Sequence, residues 1–189
     1  MYDYYGVYAA CRDAAWRCHL DFNIRRLPVK LLFITRLAGI RVICNSDVKE
    51  LRRGEIGASI YVNGRWSIVY DESMPICESR MVIAHELGHI LLGHEYKYSD
   101  YRFSTQSKKI KSEYEADMFA IRLLAPACVL HELKVTDAVT IAKLCDIPMK
   151  AALARAERMK TLEKRSRFYE SELEQKVYEN FREFIEISR

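Results

Sequence analysis

Apolar residues recur every three to four positions over residues 3–25, where Tyr5, Tyr8, Ala9, Trp16, Leu20 and Ile24 mark one face of an amphipathic helix. Pro28 suits the first turn of a second helix. Leu31, Leu32, Ile34 and Leu37 are its apolar positions, and Gly39 suits its cap. The rhythm then changes. Ile40–Cys44 is a short β-rich run, and Ala58–Val62 and Trp66–Tyr70 flank Asn63-Gly64, a pair suited to a tight type I′ turn. Three strands in this order predict a small antiparallel sheet carrying a β-hairpin. Along Met81–Glu95, MVIAHELGHILLGHE, apolar residues fall on nearly every side of a helix. That predicts a buried helix packed on the sheet, opened near Pro75 and closed by Gly93.

Glu95–Ile110 is polar, aromatic and basic, and reads as a surface loop. Residues 112–125 are helical again, and Pro126 stops them. Thr140–Met159 reads as a pair of short helices resembling a helix-turn-helix, with Pro148 starting the second. From Thr161 onward, Leu162, Tyr169, Leu173, Val177, Phe181 and Ile185 recur at mostly fourfold spacing. This is an amphipathic C-terminal helix that packs back on the chain or meets a partner. The pattern as a whole predicts an α+β fold, mostly helical. It divides into residues 1–128, a helical region 129–160, and a C-terminal helix 161–189.

Composition narrows the class. Half the residues are hydrophobic, with only 7 Gly and 4 Pro, as expected of a globular chain. The net charge of +4 is modest, and one stretch with Arg102, Lys108, Lys109 and Lys111 accounts for much of it. Residues 129–160 hold six basic against four acidic residues, too sparse a basic face for strong nucleic-acid binding. The six cysteines form no C-x-x-C pair, so they read as reduced thiols in a cytoplasmic protein. No signal peptide or membrane span is expected, which points to an intracellular substrate.

The candidate chemistry lies in His85-Glu86-Leu87-Gly88-His89, an H-E-x-x-H pattern. On a helix, His85 and His89 share a face one turn apart, so both imidazoles reach one cation. Glu86 sits beside them, placed to take a proton from water on the metal. Polar groups on a buried helix need partners, since an unpaired one costs roughly 2–7 kcal/mol, and a metal supplies them. The plain alternative is a pair of core histidines satisfied by backbone groups. A hydrolytic zinc site takes three protein ligands and leaves one position open. The metzincin spacing would put Gly at 92 and a third His at 95, but the chain has Leu92 and Glu95, with His94 out of register. A carboxylate from the next helix is the better third ligand. Glu113 and Asp117 lie at i, i+4: Glu113 to bind the metal, Asp117 to accept the free ring N–H of a ligating histidine. Glu115 points elsewhere, and Ser112-x-x-Glu115 reads as a capping box. His94, Tyr96 and Tyr98 are near enough in sequence to serve as oxyanion donors. Trp66, Ser67, Ile68, Val69 and Tyr70 form the strand expected to border the cleft with a free edge, ready for strand addition by a substrate.

HELGHILLGH followed by E-Y-E-A-D-M-F-A-I-R-L-L-A-P resembles the ImmA/IrrE family of metallopeptidases over roughly residues 20–155. The match rests on the H-E-x-x-H residues together with Glu113, Glu115, Ala116, Asp117, Phe119, Ala120, Leu123, Leu124 and Pro126. The resemblance implies a gluzincin-like fold in which residues 1–128 form a zinc metallopeptidase domain. It implies one zinc on His85, His89 and Glu113, and Glu86 as general base. It also implies a substrate: a helix-turn-helix repressor, cut to relieve repression in a phage, mobile element or stress response. The rival expectation is a zinc-stabilised regulatory protein that binds a repressor or DNA without cutting.

Overall fold

A computed structural model of the chain describes residues 4–94 and 106–189. Among the described residues it is α+β and mostly helical, with nine helices and three strands. The chain forms two compact units. One comprises the described parts of Met1–Cys11 and Lys30–Ala120, the other Arg12–Val29 and Ile121–Arg189. Most of the Glu95–Ile110 segment, with Tyr96 and Tyr98, lies outside the described residues.

The first unit is built on a three-stranded sheet of β1 (Arg41–Cys44), β2 (Gly57–Val62) and β3 (Arg65–Tyr70), in the order β1-β3-β2. Asn63 and Gly64 both take positive φ, as a type I′ turn requires, and pair β2 with β3 antiparallel. β1 instead runs parallel to β3, so the sheet is mixed rather than antiparallel. This also overturns the expected free edge at Trp66–Tyr70. β3 is the central strand, hydrogen-bonded on both sides, and the open edges among the described residues belong to β1 and β2. The hairpin signal is local and fixes β2 against β3. Which side β1 joins depends on contacts across the intervening segment, which no short pattern encodes. One face of the sheet buries Ala58, Ile60 and Val69 with Ile43 and Leu51 packed over them. α4 (Ile76–Leu91) packs against β2 and β3, and α2 (Leu31–Leu37) packs on α4 and β1. Pro28 lies three residues ahead of α2, not in its first turn.

α4 starts directly after Pro75 and buries Val82, Ile83, Ala84 and Leu87. Its end is closed at Gly93, where the backbone N–H of His94 returns to the carbonyl of His89. α5 (Gln106–Leu124) begins well before Ser112, so Ser112 is a mid-helix residue and the expected capping box does not form. Gly88 of α4 meets Ala116 and Phe119 of α5. A Cβ at Gly88 would lie 3.2 Å from Ala116 Cα and 3.0 Å from Phe119 Cδ1. The two small residues let the helices cross closely, which brings the polar side chains of α5 onto those of α4.

The second unit is helical. It holds most of α1 (Tyr4–Asp21), the end of α5, α6 (Ala127–Glu132), α7 (Ala138–Cys145), α8 (Met149–Lys164) and α9 (Glu172–Ser188). Asp137 and Ser171 cap α7 and α9 through their side chains. α7 and α8 pack together. α9 packs back against α6 and buries Val177, Phe181 and Ile185, the apolar stripe of the C-terminal segment. Phe181 meets the buried His19 ring edge-on at 5.4 Å. None of the six cysteines is in a disulfide.

Candidate metal centre

His85 and His89 stand one turn apart on α4, as the helical spacing demands, and α5 delivers Glu113 to them. His85 Nε2 and His89 Nε2 lie 3.0 Å apart. Glu113 places Oε2 3.3 Å from His85 Nε2 and Oε1 3.5 Å from His89 Nε2. These three residues are the potential metal-ligand cluster found among the described residues. Tetrahedral zinc with bonds near 2.0–2.1 Å needs donor atoms roughly 3.3 Å apart, so the spacing fits. The donor set, two imidazoles and one carboxylate, is the kind that binds a divalent transition metal.

The hydrogen bonds around the cluster form one directed chain. Asp117 Oδ1 lies 2.8 Å from His85 Nδ1, and a carboxylate there can only accept. On the far side, His94 Nδ1 lies 3.1 Å from His89 Nδ1, and His94 Nε2 lies 2.9 Å from Glu115 Oε2. Glu115 also faces Lys111 at 3.6 Å. Both ring nitrogens of His94 are therefore engaged beside His89, which leaves neither for the oxyanion role expected of it. Glu115 is no cap: it anchors His94. Sequence reasoning missed this pair. The signal was present in the tight closure of α4 at Gly93, which folds His94 back beside His89.

Electrostatics follow from the same contacts. Burial works against a charge on His85, but the hydrogen bonds to Asp117 and Glu113 outweigh it and hold the ring up at about 10. Burial, then the charge on His85, pushes His89 down to about 4. Glu113 is held below the usual carboxylate range, first by its hydrogen bond to His85. Glu86 is buried on α4, and burial raises its pKa, offset in part by His85 and by hydrogen bonding with Ser59 of β2. That contact puts an edge strand next to the glutamate.

Residues 38–160, more than half of the chain, match the Peptidase M78 family, described as an IrrE N-terminal-like domain. No curated protein shows significant similarity. The matched segment contains both α4 and α5, and with them every residue of the cluster. It agrees with the ImmA/IrrE motifs, so the chain belongs to this family of metallopeptidases.

Proposed function

We propose that the chain is a zinc-dependent endopeptidase of the gluzincin type, with one zinc per chain, that cuts a helix-turn-helix transcriptional repressor in the cytoplasm. The observation that carries the reading is the convergence of His85, His89 and Glu113 beside the buried Glu86. Three protein donors leave a fourth position for water or substrate, whereas a structural zinc site closes with four. When bound, zinc supplies Lewis acidity, polarising the scissile carbonyl and acidifying water. The remaining steps fall to this chain's own residues. Glu86 accepts the proton of the attacking water on its carboxylate and passes it to the leaving amine. Its pKa, raised by burial, suits a group that must take a proton and then return it. Asp117 accepts from His85 Nδ1–H, which would leave Nε2 as the atom offered to a bound metal. The open edge of β2 offers backbone groups to an extended substrate segment. The repressor as substrate, and a phage, mobile-element or stress setting, rest on the family resemblance.

Glu86→Gln tests the mechanism. It removes the proton acceptor and keeps the shape, so zinc content and fold should match the parent. Cleavage of helix-turn-helix repressors from the surrounding genome should fall at least about a hundredfold. Equal cleavage by the variant sinks the mechanism. A parent that binds a repressor and never cuts it transfers the conclusion to a zinc-stabilised binding protein.

A further inference from the structure

Two ligating histidines on one helix normally each need an outer partner that fixes which nitrogen carries the proton. His85 has Asp117 directly. His89 has no carboxylate on its Nδ1 among the described contacts; it has another imidazole, His94, 3.1 Å away. The hydrogen-bond directions along this side are forced in sequence. Glu115 can only accept, so His94 Nε2 donates to it. A neutral His94 then has a bare Nδ1, which can only accept, so His89 Nδ1 donates to it. A neutral His89 with its proton on Nδ1 has its lone pair on Nε2, the atom facing His85 and Glu113.

We infer that His94 and Glu115 form a positioning relay that locks His89 in the Nδ1–H tautomer and presents its Nε2 to the metal. This rests on the metallopeptidase reading for its purpose but not for its geometry. Three features make the relay more than a surface ion pair. The side chains of His94 and Glu115 are only 10% and 17% exposed, so water competes weakly for their bonds. The closure of α4 at Gly93 sets the His94 backbone by the His94 N–H to His89 carbonyl bond of 2.9 Å. Lys111, one turn before Glu115 on α5, holds the carboxylate from its other side. The outcome is an asymmetric centre. One ligand is oriented directly by a carboxylate, the other by a carboxylate acting through a second imidazole.

The experiment has two readouts. The first is equilibrium zinc affinity of the full-length chain by competition with a chromophoric chelator. His94→Ala and His94→Phe should each weaken zinc about 10–100-fold, since neither accepts a hydrogen bond from His89. His94→Asn restores an acceptor near the Nδ1 position and should recover most of the loss. His94→Phe keeps the volume, so a packing role would leave it close to the parent, and that result overturns the inference. Glu115→Gln provides an independent variant if position 94 proves intolerant, with an intermediate loss expected. The second readout is imidazole 15N NMR of the zinc-free chain. His89 should show the Nδ1–H tautomer in the parent and a mixture in His94→Phe. The same tautomer in both overturns the relay. A parent chain that takes up no zinc defeats the metallopeptidase reading, while the tautomer measurement still decides the relay.

Discussion

His19 shows how one residue can set a pH limit on the whole fold. It is fully buried in the helical unit, edge-on to Phe181, and neither ring nitrogen has a hydrogen-bond partner among the described residues. Burial lowers its pKa to about 4, opposed only in part by the nearby backbone of Arg122 and Leu123. In the unfolded chain the ring takes a proton near 6.5. Between these values the unfolded state binds more protons, so stability is full above pH 6.5 and falls as pH drops toward 4. The loss from this residue alone is on the order of 3 kcal/mol. Urea unfolding at pH 7 and pH 4.5 should show the parent losing more stability than His19→Leu. Identical losses would mean that His19 is paired or hydrated in solution. At the same scale, His85 and His89 were legible from their spacing, because a helix puts i and i+4 on one face whatever surrounds it. His94 was not, because its role depends on a left-handed helix end that turns it back toward its own helix.

At the scale of elements, the hairpin and the H-E-x-x-H helix follow from local rules, and the sheet order does not. With β3 central, the edges are β1 and β2, and β2 is the one that touches Glu86 through Ser59, so β2 is the strand placed to receive a substrate. Ile60 and Tyr61 are neighbours on β2, so the N–H of one faces β3 and the N–H of the other faces the open edge. Proline at the β3-facing position should break a ladder bond and lower the melting temperature. Proline at the edge-facing position should preserve fold and zinc content but remove one bond to an extended substrate. A typical hydrogen bond contributes about 0.5–1.5 kcal/mol, so kcat/KM should fall about two- to tenfold. An edge-facing variant that cuts at the parent rate would exclude strand addition at β2. The crossing of α4 and α5 at Gly88 and Ala116 matters equally, since it determines how close Glu113 comes to the histidines. Both small residues are visible in the sequence, but their meeting is not.

For the whole molecule, charge bears on partner choice. The net charge is +4 over 189 residues, and no described helix is long and apolar enough to cross a membrane. Residues 129–160 fold into the end of α6, then α7 and α8, and α8 starts with Met149, Lys150, Ala151 and Ala152. Few of those side chains can read base edges. Fluorescence anisotropy with duplex DNA should show only weak binding that vanishes by physiological salt, because few phosphates can be neutralised. A sequence-specific complex surviving that salt would make DNA tethering part of the function.

The sequence by itself determined the periodic and local features. These are the buried helix with two histidines on one face, the type I′ hairpin, the helix with Glu113 and Asp117 a turn apart, and the apolar stripe of α9. Each follows from backbone geometry within a few residues, which repeats regardless of context. Tertiary structure alone decided the rest. It made β3 central and β1 parallel to it, brought α5 onto α4, started α5 before Ser112, and turned Glu115 from a cap into the anchor of His94. Those outcomes depend on pairings between segments far apart in the chain. Their energies come from burial and hydrogen bonds that exist only once the segments meet.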